Sequence, residues 1–300
     1  MGDAAAAAPA RRGVIVAADT MELPDLVAYV QRLESLGYDS VWIPDMFGRE
    51  IYVTAGHLLA HTSTIQVATG IAHIYGRDAI ATAQAARTLA ELSDGRFVLG
   101  LGVSHPPAAE LRGLVWEPPI ETTRAYLSEV RTAMRGGLLH TPKDPPPTPI
   151  LLAAHGPKMM QVAADLADGA NTYMQPPEHT ASARETLGPD KELSVVLPCV
   201  MTTDAEAARA AGRRALHIYL PLPAYHRQWR AFGFDESDWT DRASDRLVDA
   251  YVAWGVADAI RARIDEHVAA GATQIQLSAN QHERGATGPP YDLLEALAPA

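Results

Sequence analysis

The chain has 300 residues, of which 47% are hydrophobic and 20% are charged, which is ordinary for a globular protein. Its formal net charge of −11 argues against a general binder of nucleic acid or anionic membranes, because both partners need a basic surface. The single cysteine, Cys199, excludes an internal disulfide and a thiolate zinc site. A chain of this length suits one large α/β domain.

The first segment, Met1–Arg12, is rich in alanine and lacks the basic start and long apolar centre of a secretory signal. We therefore predict a disordered tail over residues 1–12, one domain over 13–300 and a cytoplasmic location. No apolar run reaches the roughly 18 residues that a membrane-spanning helix needs, so no membrane partner is expected.

Short apolar runs alternate with segments of helical periodicity along the chain. The predicted strands are residues 13–18, 40–44, 65–71, 96–102, 149–154, 169–174, 193–201 and 273–278. The predicted helices are residues 23–36, 52–61, 79–93, 120–135, 157–167, 179–187, 204–218, 246–254, 257–270 and 291–297. Two further stretches, 103–119 and 221–240, are expected to be irregular and to form a substrate pocket.

Eight strand–helix units in about 290 residues favour a (β/α)8 TIM barrel, with insertions after strands 4 and 7. A doubly wound open sheet is the alternative, but that fold normally carries a glycine-rich fingerprint after its first strand. Here the first strand is followed by DTMELPD, which contains no glycine. The sequence therefore predicts a single-domain barrel.

The segment Arg96–His105, RFVLGLGVSH, is the centre of the predicted fold. Its apolar run is typical of a strand that is buried on both faces, and its glycines allow close approach to the backbone. Ser104 and His105 follow the carboxyl end of this strand, where barrels of parallel strands place their chemistry.

The residues that follow the predicted strands form the active face of such a barrel. They contain no Ser/His/Asp set, no clearly poised carboxylate pair and no closely spaced histidine pair with a carboxylate. Acyl transfer and metal hydrolysis therefore have weak support, and no metal site is predicted. The set includes Asp19, Thr20, Asp45, Met46, Phe47, His73, Tyr75, Ser104, His105, His155, Gly156, Pro157, Lys158, Gln175, Thr202, Thr203 and Asn280.

The most informative polar element is residues 153–160, AAHGPKMM, which lead from a strand into a helix. Free N–H groups at a helix start attract phosphate, and Lys158 adds a positive charge. The alternative is that Gly156 and Pro157 only form a tight helix entry. This segment favours a phosphate-bearing ligand.

Three strand-end residues have both a structural and a functional interpretation. Asp45 caps the next helix or hydrogen-bonds a ligand ring. His73 and His105 either transfer protons or have a structural role, with their ring nitrogens hydrogen-bonded within the protein.

Four segments resemble the luciferase-like monooxygenase superfamily, and within it the coenzyme F420-dependent oxidoreductases of actinobacteria. They are GYDSVWIPD, VATGI, RDAIATAQAARTLAELSDGRFVLGLGVSH and PILLAAHGPKMMQVAADLADGAN. The resemblance covers residues 13–280 and implies a barrel that is usually dimeric, so we expect a homodimer.

The resemblance also implies a site at the carboxyl ends of the strands. A non-proline cis peptide between Gly70 and Ile71 would support the deazaflavin ring. His105 and His73 would be the catalytic, proton-transferring groups. The implied cofactor-binding residues are Asp45, Gly70, Ile71, Ser104, Gly156, Pro157, Lys158 and Met159.

One departure affects the reaction type. F420-dependent sugar-phosphate dehydrogenases carry a basic histidine where this chain has Met46, which cannot move a proton. The function implied is hydride transfer between F420 and a small organic substrate, with reduction as one direction. FMN chemistry on the same fold and a cofactor-less, non-catalytic barrel are the alternatives. Basic residues near the mouth, such as Arg49, Arg77 and Arg112, would favour F420 because its tail is acidic.

Overall fold

Eight parallel strands close into a barrel in the computed structural model, which describes residues 10–135, 141, 143–286 and 288–299. The barrel closes because the strand over residues 274–279 pairs with both the first strand, 11–15, and the strand over residues 192–201. The predicted (β/α)8 barrel is confirmed. The described strands are β1 Arg11–Ile15, β2 Ser40–Ile43, β3 Gln66–Thr69, β4 Ala72–His73, β5 Phe97–Gly102, β6 Ile150–Ala153, β7 Gly169–Tyr173, β8 Glu192–Met201, β9 Ala253–Gly255 and β10 Gln274–Ala279. All of them except the short strands β4 and β9 belong to the closed ring of eight.

Helices surround the barrel, and most of the long ones follow a strand. The helices are α1 Leu23–Ser35, α2 Ile51–Ala60, α3 Ala79–Ser93, α4 Pro106–Leu111, α5 Pro119–Arg135, α6 Pro157–Leu166, α7 Pro177–Leu187, α8 Ala205–Leu216, α9 Pro223–Ala231, α10 Asp245–Tyr251, α11 Ala257–Ala269 and α12 Tyr291–Ala296. Local signals set their ends. In α3, Asp78 caps the start by accepting a hydrogen bond from the backbone of Ala81 at 2.9 Å, and left-handed Asp94 and Gly95 terminate it. None of the described helices is long and apolar enough to cross a bilayer.

The start of the chain differs from the prediction. Arg11 and Arg12 lie in β1, opposite Gln274 and Ile275 of β10, and so do not belong to the predicted tail over 1–12. Pairing with β10 and the Arg11–Glu192 ion pair hold them in place. Residues 1–9 of that tail lie outside the described residues.

Two segments predicted to be irregular contain helices. Residues 103–119 include α4, and residues 221–240 include α9. Proline pairs and aromatic residues indicated loops, but proline at the first helical positions favours a helix start. The predicted helix 246–254 is also too long, because Ala253–Gly255 pairs as β9 with the end of β8.

Apolar side chains pack on both faces of the strands. The larger core lies between the strands and the surrounding helices, and a smaller cluster of Trp42, Ala68, Val98 and Leu151 occupies the other face of β2, β3, β5 and β6. This double burial explains the continuous apolar runs in the sequence.

Gly100 marks the place where β3 and β5 approach most closely. Thr69 Oγ1 donates to the carbonyl oxygen of Gly100 at 2.7 Å and accepts from its backbone nitrogen at 2.9 Å. A Cβ at position 100 would lie 1.9 Å from the carbonyl oxygen of Thr69. Beyond this contact β4 pairs with the end of β5, which places His73 opposite Gly102 at the carboxyl rim.

Candidate active site

A cavity of about 700 Å³ opens at the carboxyl ends of β5 and β6. The loop after β5, the start of α6, and helices α7 and α9 form its walls. Both segments predicted to form the pocket contribute, through Trp116 on one side and Tyr225 on the other. Its lining is mostly apolar with a few polar groups, a composition typical of small-molecule sites.

A second, more polar cavity of about 400 Å³ lies beside the ends of β2 and β4. Asp45 and His73 line it together with Arg49, Arg77 and Arg112. Arg77 pairs with Glu50, while Nη1 and Nη2 of Arg49 donate to main-chain carbonyl oxygens. In the described residues, no group of three or more His, Cys, Asp or Glu side chains is arranged to hold a metal ion.

Seven of the ten predicted site residues line one of these two cavities. Ser104, His105, Gly156, Pro157 and Met159 line the larger cavity, and Asp45 and His73 line the smaller one. Lys158 is exposed and lines neither.

Gly70 and Ile71 also line neither cavity and lie beneath the site. The peptide bond between them is cis, as the resemblance implies. A Cβ on Gly70 would lie 3.1 Å from the Cβ of Trp42, and the carbonyl oxygen of Ile71 accepts from the backbone nitrogen of Asp45 at 3.3 Å. These contacts join the ends of β2 and β3.

Asp45 organises the loops around the smaller cavity. Its carboxylate accepts a hydrogen bond from the backbone nitrogen of His73 at 3.1 Å and pairs with Arg112 at 3.4 Å. The interpretation of Asp45 as a helix cap is wrong, because Glu50 caps α2 by accepting from the backbone of Val53 at 2.7 Å. Asp45 therefore connects the ends of β2 and β4 to the segment after β5.

The pKa values of His105 and His73 are both lowered, which favours the neutral imidazole at pH 7. Burial lowers the pKa of His105. Burial also lowers the pKa of His73, aided by Arg112 and His105 and opposed by Asp45. A neutral imidazole within a cavity can accept a proton, so both residues retain the capacity for proton transfer. The ring of His105 lies 6.1 Å from that of Tyr225, centroid to centroid.

The start of α6 faces the larger cavity. Gly156 is its N-cap residue, and no side chain among the described residues caps the helix at this end. A Cβ on Gly156 would meet no described atom within 4 Å. The first N–H groups of a helix have no partner within the helix, so this end can bind an anion.

Sequence reasoning missed a polar cluster beside this helix start. His155 and Gln175 appear only within the strand-end set, and His179 and Gln228 carry no motif. Burial lowers the pKa of His155 to about 3 and also lowers that of His179. The position of His155 between a strand and Gly156 was the one available signal.

Comparisons with known proteins identify relatives along nearly the whole chain. The family model described as luciferase-like monooxygenase matches residues 4–274. A 5,10-methylenetetrahydromethanopterin reductase of Methanolobus tindarius is 26% identical over 285 residues, which cover 82% of this chain and 87% of the relative.

Solved structures agree with the barrel fold. The coenzyme F420-dependent tetrahydromethanopterin reductase of Methanopyrus kandleri superposes with a TM-score of 0.79 at 17% identity, covering 97% of this chain and 98% of the other. A type II Baeyer–Villiger monooxygenase of Pseudomonas putida, in complex with FMN, superposes with a TM-score of 0.69 at 15% identity and covers 97% of both chains.

Proposed function

Because the chain belongs to the luciferase-like monooxygenase family, we propose that it is a coenzyme F420-dependent oxidoreductase that transfers a hydride to or from a small organic substrate. The relatives named above are enzymes, so the cofactor-less barrel is set aside. The observation that carries the proposal is the larger cavity, which extends from His105 to the uncapped start of α6.

The described residues fit this cofactor. The cavity volume of about 700 Å³ is within the range of cofactor sites. A phosphate suits the α6 end, where Gly156, Pro157 and Met159 line the cavity and backbone N–H groups are free. When bound, the deazaflavin would supply two-electron hydride chemistry at its C5 atom.

The chain's own groups would orient the reactants and manage a proton. His105 would accept a proton at its imidazole, since burial lowers its pKa and favours the unprotonated form. Trp116 and Tyr225 line the cavity and would help to exclude water from it. Asp45 would hold the end of β4 through the backbone of His73.

Three arginines support F420 over FMN. Arg49, Arg77 and Arg112 line the smaller cavity next to the site, and its lining carries more positive than negative side chains. An acidic cofactor tail would be attracted there, and FMN has no such tail. The relative solved with FMN keeps that cofactor as the alternative. A homodimer and a cytoplasmic location remain predictions.

Isotope transfer tests the hydride step. Reduced F420 labelled with deuterium at C5 would be mixed with the protein and a panel of small apolar carbonyl, imine and enone compounds. We expect deuterium to appear at carbon in the product of one substrate class, measured by mass spectrometry. Product formed without deuterium, or no product with any class in either direction, would contradict the proposal. The same mixtures without the protein are the control for uncatalysed transfer.

A further inference from the structure

The larger cavity has an uncharged interior. Among the described residues that line it, Arg227 is the one with a side chain that is always charged, and it is exposed. The three lining histidines, His105, His155 and His179, have pKa values lowered by burial, which favours the neutral ring at pH 7. Burying an ionised group without a partner of opposite charge is costly. Away from the start of α6, the interior therefore suits an uncharged part of a ligand.

Tyr225 brings a phenol into this interior. It lies on α9, is 3% exposed and lines the larger cavity. The centroid of its ring lies 6.1 Å from that of His105, which follows β5, and 5.9 Å from that of His155, which follows β6. Tyr225 is therefore placed at the carboxyl ends of two neighbouring strands, beside the proposed proton acceptor.

The hydroxyl of Tyr225 has no hydrogen-bond partner among the described residues. Burial raises its pKa, and so does the nearby Tyr173, so the phenol stays protonated at pH 7 and can donate. Fully enclosed oxygens without a partner occur in the described part of the chain, as in Tyr251, but the hydroxyl of Tyr225 is not one of them. The small exposed area of Tyr225 therefore includes its hydroxyl oxygen, which is open to the cavity that the residue lines.

We propose that Tyr225 donates a hydrogen bond to a neutral oxygen of the substrate, such as a carbonyl oxygen, and that this part of the cavity selects an uncharged substrate. A carbonyl oxygen only accepts, so it complements a phenol that lacks an acceptor. The inference rests on the proposed function for the reaction, whereas the binding contact does not need the cofactor.

The same contact would assist reduction of a carbonyl group. Addition of hydride to the carbonyl carbon moves the π electron pair to the oxygen, which a proton from water then neutralises. A donor that is already in place stabilises the negative charge that develops on this oxygen. Tyr225 would therefore affect the turnover number as well as substrate binding.

Binding of acetophenone to the protein without cofactor tests the contact. Tyr225→Phe should weaken acetophenone binding about fivefold, the contribution of one hydrogen bond between neutral groups. It should not change the binding of α-methylstyrene, which has a CH2 group in place of the oxygen. Tyr251→Phe is the matched control and should bind both compounds as the wild type does, because Tyr251 is buried on α10 and lines neither cavity. No binding of millimolar acetophenone to the wild type, or an equal change for both compounds in Tyr225→Phe, would contradict the inference.

Carbon-13 NMR of acetophenone labelled at the carbonyl gives a readout that packing alone would not move. A hydrogen bond to the oxygen withdraws electron density from the carbon, so the bound signal should lie downfield in the wild type and move upfield in Tyr225→Phe. Benzamidine, a cation of similar shape, should not displace the labelled ketone, because no carboxylate lies among the described lining residues. An unchanged carbonyl signal in Tyr225→Phe, or displacement by benzamidine, would contradict the inference.

Kinetics separates this inference from the proposed function. With a carbonyl substrate found by isotope transfer, Tyr225→Phe should lower the turnover number about 100-fold, the usual effect of losing one donor to a developing oxyanion. Wild-type turnover in Tyr225→Phe would contradict the inference and leave the proposed function intact. A protein that binds acetophenone through Tyr225 but does not bind F420 would support the inference and contradict the proposed function.

Discussion

Replacing His105 by alanine is expected to lower the turnover number by about 100- to 10,000-fold, the usual contribution of a positioned proton donor or acceptor. His105 is the histidine that follows β5 and lines the larger cavity, where its neutral imidazole can take part in proton transfer. The affinity for F420 should fall much less than the turnover number, because the backbone N–H groups at the start of α6 are unchanged in this variant. Steady-state kinetics and fluorescence titration measure the two quantities.

The control is His73→Ala, which should lose less activity. His73 lines the smaller cavity, and its contact with Asp45 is made by its backbone nitrogen, which alanine retains. Wild-type turnover in both variants would show that neither histidine carries the proton.

The pH profile tests the protonation state of His105. Burial lowers its pKa below 6.5, so in the direction of substrate oxidation the neutral, proton-accepting form is already populated at pH 7. The rate kcat/KM should be flat near pH 7 and fall only as the pH drops below the lowered pKa. That acidic limb should disappear in His105→Ala.

Replacing Gly100 by alanine is expected to destabilise the protein by about 3 kcal/mol or more, at the upper end of the range for overpacking. The new Cβ would lie 1.9 Å from the carbonyl oxygen of Thr69, and a backbone atom cannot rotate away. For a chain of this size that corresponds to a melting temperature about 5 °C lower or more, measured by calorimetry.

Gly156→Ala is the stability control. Its backbone is extended with φ of −83°, and no described atom lies within 4 Å of the new Cβ. Its melting temperature should stay within about 2 °C of the wild type, since a compatible Gly→Ala change costs little. Equal stability of Gly100→Ala and the wild type would contradict the close contact between β3 and β5.

The barrel was predictable because buried parallel strands leave continuous apolar runs, which alternate here with segments of helical periodicity. The run Arg96–His105 is the clearest example, and it yields β5 with one end residue in error. Pairing between distant segments leaves no such local pattern. The strand β9 was therefore predicted as helix, since only its contact with β8 makes it a strand.

The candidate site was predictable residue by residue but not as an arrangement. Strand-end positions identified His105 and Gly156 as lining residues, because every βα loop of a barrel meets at one face. The contact of Asp45 with Arg112 joins residues 67 positions apart, and that of Gln175 with His155 joins residues 20 apart. Residue types at single positions do not reveal such contacts, so the two cavities and the His155 cluster required the structure.

The most direct measurement is titration of the purified protein with F420 and, separately, with FMN, followed by the fluorescence of each ring. The account predicts tight binding of F420, weakened by salt because the phosphate and the acidic tail contribute electrostatically, and no response to FMN. Tight binding of FMN without F420 would place the chain among the flavin enzymes and make oxygen a candidate co-substrate. Binding of neither would contradict the proposed chemistry and leave only the barrel.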